Sequence, residues 1–155
     1  MDKKRLLEEI IAKLRLDAEK MLAAAISTRD EATHEDNKAE SKYDTRGLEA
    51  SYLAEAQARQ AEEAEANLQR FVKMQPRDYE AGDPISLTAL VEVKMGNFAD
   101  WYFIGPGAGG MELEIDDQEC TVVTLDSPMG GRLDGARVGE TFDMNGRKAR
   151  ILTVL

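Results

Sequence analysis

One cysteine, Cys120, and one histidine, His34, are all that 155 residues contain of those types. A lone cysteine excludes an internal disulfide and any metal site built from several thiolates. No nucleophile stands with a convincing base: His34 is the only imidazole, Cys120 falls in an apolar strand-like run, and Ser127 reads as a helix cap. Aromatic residues are only 6% of the chain although hydrophobic residues reach 43%, so much of the burial must rest on small side chains along a narrow seam. No apolar run approaches the roughly 18 residues a membrane span needs, and the charges interleaved in MDKKRLLEEII do not make a signal peptide. Cytoplasm is the expected compartment. Basic residues are also short, 20 against 30 acidic ones, and they form no long run. A net charge of −10 excludes independent binding of exposed DNA, and a basic cavity in another protein is the better partner.

What is present first is a helical period. Leu7, Ile11, Leu14, Ala18, Met21, Ala25, Thr28 and Ala32 follow alternating four-three spacing, the rule for a coiled-coil seam. A helix over about residues 3–33 would be about 45 Å long. The spacing returns at Tyr43, Gly47, Ala50, Ala54, Gln57, Ala61, Ala64, Leu68 and Phe71. Both seams place large residues at one end and small ones near the connection, which an antiparallel hairpin matches and a parallel pair would not. Pro76 ends the second helix, and the polar, turn-rich run 76–84 is the expected linker.

Beyond the linker the period changes. Residues 86–95 alternate as a strand does, Gly96-Asn97 marks a turn, and 98–104 (FADWYFI) is an aromatic strand. A glycine-rich loop, 105–110, precedes MELEI and the apolar strand 120–125. That loop lacks the lysine and following helix of a phosphate-binding loop. Ser127-Pro128 predicts a helix start, which Gly130 and Gly131 keep short or irregular, and Asn145-Gly146 predicts a two-residue hairpin between 141–144 and 148–154. The fold class expected is α+β: an antiparallel two-helix coiled coil over 1–75, the linker, and a small, mainly antiparallel domain over 85–155.

The chemistry concentrates in the connection between the helices, 33–46, THEDNKAESKYDTR. Glu35, Asp36, Glu40 and Asp44 stand there among Asn37, Lys38, Lys42 and Tyr43. Asp36 and Glu40 are four apart, so a continuing helix would put both on one face, where they could share a divalent cation; a solvated acidic turn explains the same spacing.

The order of coiled coil, proline-containing linker and β-rich domain resembles the bacterial Gre transcript cleavage factors. Residues 122–144, VVTLDSPMGGRLDGARVGETFDM, resemble that family's pattern at Ser127, Pro128, Arg132, Leu133, Gly135, Val138, Gly139 and Glu140. DNKAESKY resembles its acidic tip, with Tyr43 on its tyrosine and Asp36 on its aspartate. Ala39 falls where its metal-proximal glutamate is expected, and Glu40 is one residue on.

The resemblance implies an FKBP-like C-terminal domain docked on RNA polymerase and a coiled coil inserted in the secondary channel. Tip carboxylates would help the polymerase hold a second Mg and position water, so that backtracked RNA is cut near its 3′ end. A second metal clamping attacking and leaving oxygens is sound chemistry for that step. The implied roles are Asp36 and Glu40 as metal-proximal acids, and Glu35, Asn37, Lys38, Lys42, Tyr43 and Arg46 as tip support. Ser127, Pro128 and Arg132, and the aromatic strand at Trp101, are the candidate docking positions, although for Trp101 and Phe103 packing in the core is the stronger explanation, since large aromatics in strands are usually core. The protein would be a monomeric accessory factor with no cofactor of its own and no membrane partner. Three alternatives stay open: a channel-binding regulator or inhibitor without cleavage, a prolyl isomerase, and a self-associating coiled coil.

Overall fold

The computed structural model describes residues 1–34 and 45–155. Two long helices, α1 (Lys3–Thr33) and α2 (Arg46–Lys73), precede six strands and one short helix, in a mixed α+β arrangement. The residues form two compact units, Ile11–Gln69 and Met1–Ile10 with Arg70–Leu155. The expected limits at 75 and 85 both fall inside the second unit.

The helices begin and end for local reasons. Asp2 caps α1, its carboxylate accepting from the amides of Lys4 (2.9 Å) and Arg5 (3.2 Å), donors that have no partner inside the helix. Thr33 turns its hydroxyl back on the carbonyls of Arg29 and Asp30 in the last turn. Thr45 takes the amide of Glu49 at 2.9 Å where α2 starts, and α2 stops three residues before Pro76.

In the unit Ile11–Gln69, Leu14, Ala18, Ala25, Ala61 and Leu68 are buried, all of them on the predicted seam. Thr28 donates its hydroxyl to the side-chain oxygen of Gln57 across the pair, so a polar layer is satisfied within the seam. Met21 departs from the expectation and is exposed, as are Leu22, Ile26, Leu48, Tyr52 and Leu53. A seam of alanines is too narrow to cover side chains beside it.

The other unit is built on one sheet with strand order β3-β4-β2-β1-β6-β5: β1 Leu90–Met95, β2 Phe98–Ile104, β3 Glu112–Ile115, β4 Gln118–Val123, β5 Thr141–Met144 and β6 Arg147–Val154. All neighbours are antiparallel except β2 and β4, which run parallel with Phe103 opposite Val122. One face packs Val91, Val93, Ile104, Val123, Ala149 and Ile151 against Met129 and Leu133 of α3 (Pro128–Leu133) and against Tyr79 and Ile85. The other face carries buried Leu90, Trp101, Phe103, Cys120 and Val122, and Phe71 of α2 sets its ring 6.5 Å from that of Phe103. Leu6, Leu7 and Ile10 are buried in the same unit.

Two strand expectations shift. Residues 86–89 form a turn instead of opening β1, since Ala89 donates to Ser86 at 3.1 Å and Thr88 takes a φ of +76°. A β-branched residue in that region is strained, and three bonds hold it there: its amide donates to Ile104 (2.8 Å), Ile104 donates to Ala89 (2.9 Å), and its hydroxyl accepts the amide of Arg77 (3.1 Å). The second shift is at β4, which starts at Gln118 because Asp116 and Asp117, at φ +53° and +59°, close a two-residue hairpin with β3. Short polar side chains tolerate that conformation, but no glycine advertised it.

The run 76–84 is tied down. Tyr79 bonds Ser86 (2.8 Å) and the carbonyl of Leu87 (2.7 Å), Arg77 pairs with Asp83 (2.6 Å), and the Lys3 ammonium and Arg77 guanidinium lie 5.1 and 4.6 Å from the Tyr79 ring centre. Such cation contacts each add a fraction of a kcal/mol or more, about 0.5–1 at exposed positions.

Candidate functional site

Two places were singled out by sequence, and they stand differently. The acidic run, with Glu35, Asp36, Asn37, Lys38, Glu40, Lys42 and Tyr43, lies outside the described residues. Its flanks are described: His34 and Thr45 are exposed, and Arg46 is exposed as the first residue of α2. The run therefore connects two helices whose pairing is recorded at Thr28 and Gln57. Its donor chemistry suits magnesium, a hard cation that takes one or two protein carboxylates and leaves its other positions to water or phosphate oxygens. Among the described residues no three His, Cys, Asp or Glu side chains are grouped as a metal would need.

The second place is the start of α3, and every part of its geometry is legible. Ser127, with φ −76° and ψ 154°, is the N-cap: its Oγ accepts from the Gly130 amide at 3.1 Å and donates to the Thr124 carbonyl at 2.7 Å. Pro128 follows in the first turn, where its missing amide hydrogen costs nothing. Gly130 must be glycine, because a β-carbon there would stand 1.9 Å from the Thr124 oxygen. The helix ends where Asp134 donates to Gly130 (2.9 Å) and Gly135, at φ +78°, donates to Ile85 (2.8 Å).

The consequence is a division of labour in the motif. Ser127 is half-buried and its hydroxyl is spent on the turn, while Pro128 and Arg132 are exposed with Leu125 close in sequence. Those exposed groups are available to a partner. For Trp101 and Phe103 the stronger expectation, packing, is what the structure shows: Trp101 is 7% exposed and Phe103 is fully buried, in the sheet face that packs Phe71, as large strand aromatics usually are.

Cys120 is buried opposite Trp101, and burial pushes its thiol up to about 12, against a smaller opposing effect of the Phe103 backbone. A thiol held protonated in that way is neither nucleophile nor ligand. No helix among the described residues is long and apolar enough to cross a membrane.

Compared with known proteins, the chain matches no family model and no curated protein sequence. Three solved structures align over nearly its whole length. The crystal structure of GreA factor homolog 1 of Thermus thermophilus is 20% identical, with 99% of this chain and 94% of that one covered at a TM-score of 0.37. Gfh1 of Thermus aquaticus is also 20% identical, covering 97% and 92% at 0.36. A further structure, of the transcription factor Gfh1, is 20% identical over 93% and 92% at 0.38.

Proposed function

We propose that this protein is a transcription elongation factor of the Gre type that binds RNA polymerase, with the helical pair entering the secondary channel and the acidic run acting there. The observation that carries the reading is the run's place in the chain. Four carboxylates stand in the ten-residue stretch 35–44, and that stretch joins two paired helices of 31 and 28 residues, each of about 40 Å or more. A slender pair with charge concentrated at its connection suits delivery of that charge into a confined place, and the motif at 122–144 adds a docking element.

In this reading Asp36 and Glu40 accept part of the coordination of a polymerase magnesium ion, which supplies charge neutralisation at the attacking and leaving oxygens of the RNA phosphodiester. Tyr43, Lys38, Lys42, Asn37, Glu35 and Arg46 orient the run. Pro128 and Arg132 contact the polymerase, and Ser127 holds their turn. The factor performs no reaction alone, acts as a monomer and works in the cytoplasm.

Ala39 favours a second reading. With no carboxylate at the position where the Gre pattern expects one, the protein would occupy the channel and regulate the polymerase without promoting cleavage.

A cleavage assay on backtracked elongation complexes separates the two. Wild type stimulates cleavage, and D36N and E40Q each reduce stimulation at least tenfold while binding is retained. Binding without stimulation by wild type establishes the regulator reading instead. Stimulation that survives both substitutions overturns the assignment of the acids.

A further inference from the structure

We propose that Asn145, in the hairpin joining β5 to β6, is a site of spontaneous deamidation that turns it into aspartate and isoaspartate without an enzyme. Asparagine amides are among the less durable groups of a protein, and their lifetime depends on the access of the next backbone nitrogen to the side-chain carbonyl carbon. Of the four asparagines, only Asn145 is followed by glycine, which has no side chain to obstruct that approach. Asn97 precedes the bulky Phe98, Asn67 lies inside α2, where the helix holds its backbone, and Asn37 is outside the described residues. Both turn residues, Asn145 and Gly146, are exposed, and a β-carbon on Gly146 would meet no atom within 4 Å. Among the described residues neither the Asn145 side chain nor the Gly146 amide enters a hydrogen bond, so the nitrogen that must attack is not held elsewhere. The left-handed turn, at φ +52° and +77°, has to open for that nitrogen to reach the carbon. Because β5 is a four-residue strand at the sheet edge, paired only with β6, opening at its end breaks few bonds.

In the reaction the Gly146 nitrogen bonds to Cγ of Asn145, the Cγ–Nδ2 bond breaks, and the nitrogen's proton leaves with the side-chain amide as ammonia. The succinimide so formed is opened by water, and nothing is oxidised or reduced. Opening at Cγ leaves aspartate, which this kind of turn accepts: Asp116, at φ +53°, holds the corresponding place in the two-residue hairpin between β3 and β4. Opening at the backbone carbonyl carbon of residue 145 leaves isoaspartate, whose main chain is one carbon longer. A two-residue turn that sets Met144 opposite Arg147 has no room for the added carbon. The isoaspartyl form therefore loses the register of β5, and with it the contacts that Phe142 and Met144 make with the core. The proposal is independent of the polymerase reading, because it concerns neither the acidic run nor α3.

The test holds the full chain in warm, mildly alkaline buffer, with and without guanidinium chloride, and follows it over weeks by peptide mapping that separates asparaginyl, aspartyl and isoaspartyl forms. In the folded chain, position 145 is expected to convert at least tenfold faster than positions 67 and 97, to a mixture of both acids, and at no less than a tenth of its rate in the unfolded chain. The purified isoaspartyl form should lose the cross-strand proton contacts between β5 and β6 in NMR spectra, whereas N145D, which carries the aspartyl product from the start, should keep them. The proposal is overturned if the folded chain converts at less than a tenth of the unfolded rate, if position 67 or 97 converts as fast as 145, or if N145D and the isoaspartyl form do not differ in those contacts.

Discussion

Gly130 sits so close to Thr124 that a β-carbon on residue 130 would lie 1.9 Å from the Thr124 carbonyl oxygen, which also accepts the Ser127 hydroxyl at 2.7 Å. The approach lets α3 start tightly on the end of β4 and so presents Pro128 and Arg132 at the surface. Backbone meets backbone here, so no rotamer change relieves the clash. Gly130→Ala is expected to cost about 3 kcal/mol, the upper end of overpacking penalties, in urea denaturation. Gly131→Ala, whose β-carbon would meet only Leu125 O at 3.5 Å, should cost less than about 1 kcal/mol. Equal losses in the two variants would show that the close approach does not govern the turn.

Phe71 and Gly105 form a second such pair. The Phe71 ring packs against Phe103, and a β-carbon on residue 105 would stand 2.8 Å from the end of that ring and 3.0 Å from Val122. Phe71→Ala empties a fully buried aromatic site and is expected to cost about 3–5 kcal/mol. Gly105→Ala should cost about 1–3 kcal/mol, and adding Phe71→Leu should recover part of it, because the shorter side chain yields the space. Strict additivity in a double-mutant cycle would contradict the contact.

The arm could be read from sequence because coiled-coil spacing is a strong, repeated signal: Leu14, Ala18, Ala25, Ala61 and Leu68 were all assigned to the seam and all are buried. Met21 was assigned there too and is exposed, since heptad position states a direction but not whether the facing helix is bulky enough to cover it. The Asn145-Gly146 hairpin was legible for the same reason as the seam, both residues being the ones its left-handed backbone favours, at φ +52° and +77°. Asp116-Asp117 makes the same kind of turn from residues that merely tolerate it. Thr88 was invisible altogether, because its conformation is imposed by bonds to Ile104 and Arg77, distant in sequence. The α3 motif yielded its cap and its short length, whereas the need for glycine at 130 follows from the approach of Thr124, which no local pattern states.

The Thr28 and Gln57 layer gives a prediction about the arm alone. Losing one partner leaves the other half-buried and unsatisfied, whereas replacing both with apolar groups of similar size does not. Thr28→Val alone should therefore lower stability by about 0.5–1.5 kcal/mol, and Thr28→Val with Gln57→Leu should return it to the wild-type level or above. Helical unfolding followed by circular dichroism reads both. A double variant weaker than either single one would mean that the hydrogen bond contributes more than an apolar layer can replace.

Lys3 supplies a pH dependence. Its ammonium donates to the carbonyls of Arg77 and Leu155 and lies over Tyr79, half-buried. Burial pushes its pKa down to about 8, with nearby Asp78 opposing the shift and Arg77 reinforcing it. Below pH 8 the amine is charged in both the folded and the unfolded chain, so the group imposes its full desolvation cost on the fold. Between pH 8 and the ordinary lysine value of 10.5 the folded chain releases its proton first and the unfolded chain holds more, so stability from this group rises with pH; it is complete above 10.5 and lost as pH falls through 8. The stability of wild type relative to Lys3→Met should thus be flat below pH 8 and climb from there to about pH 10.5, as measured by urea denaturation at each pH. A difference that falls over that interval would mean the two carbonyls and the Tyr79 face favour the ammonium more than burial opposes it, and a direct titration of the Lys3 side chain would then place its midpoint above 10.5.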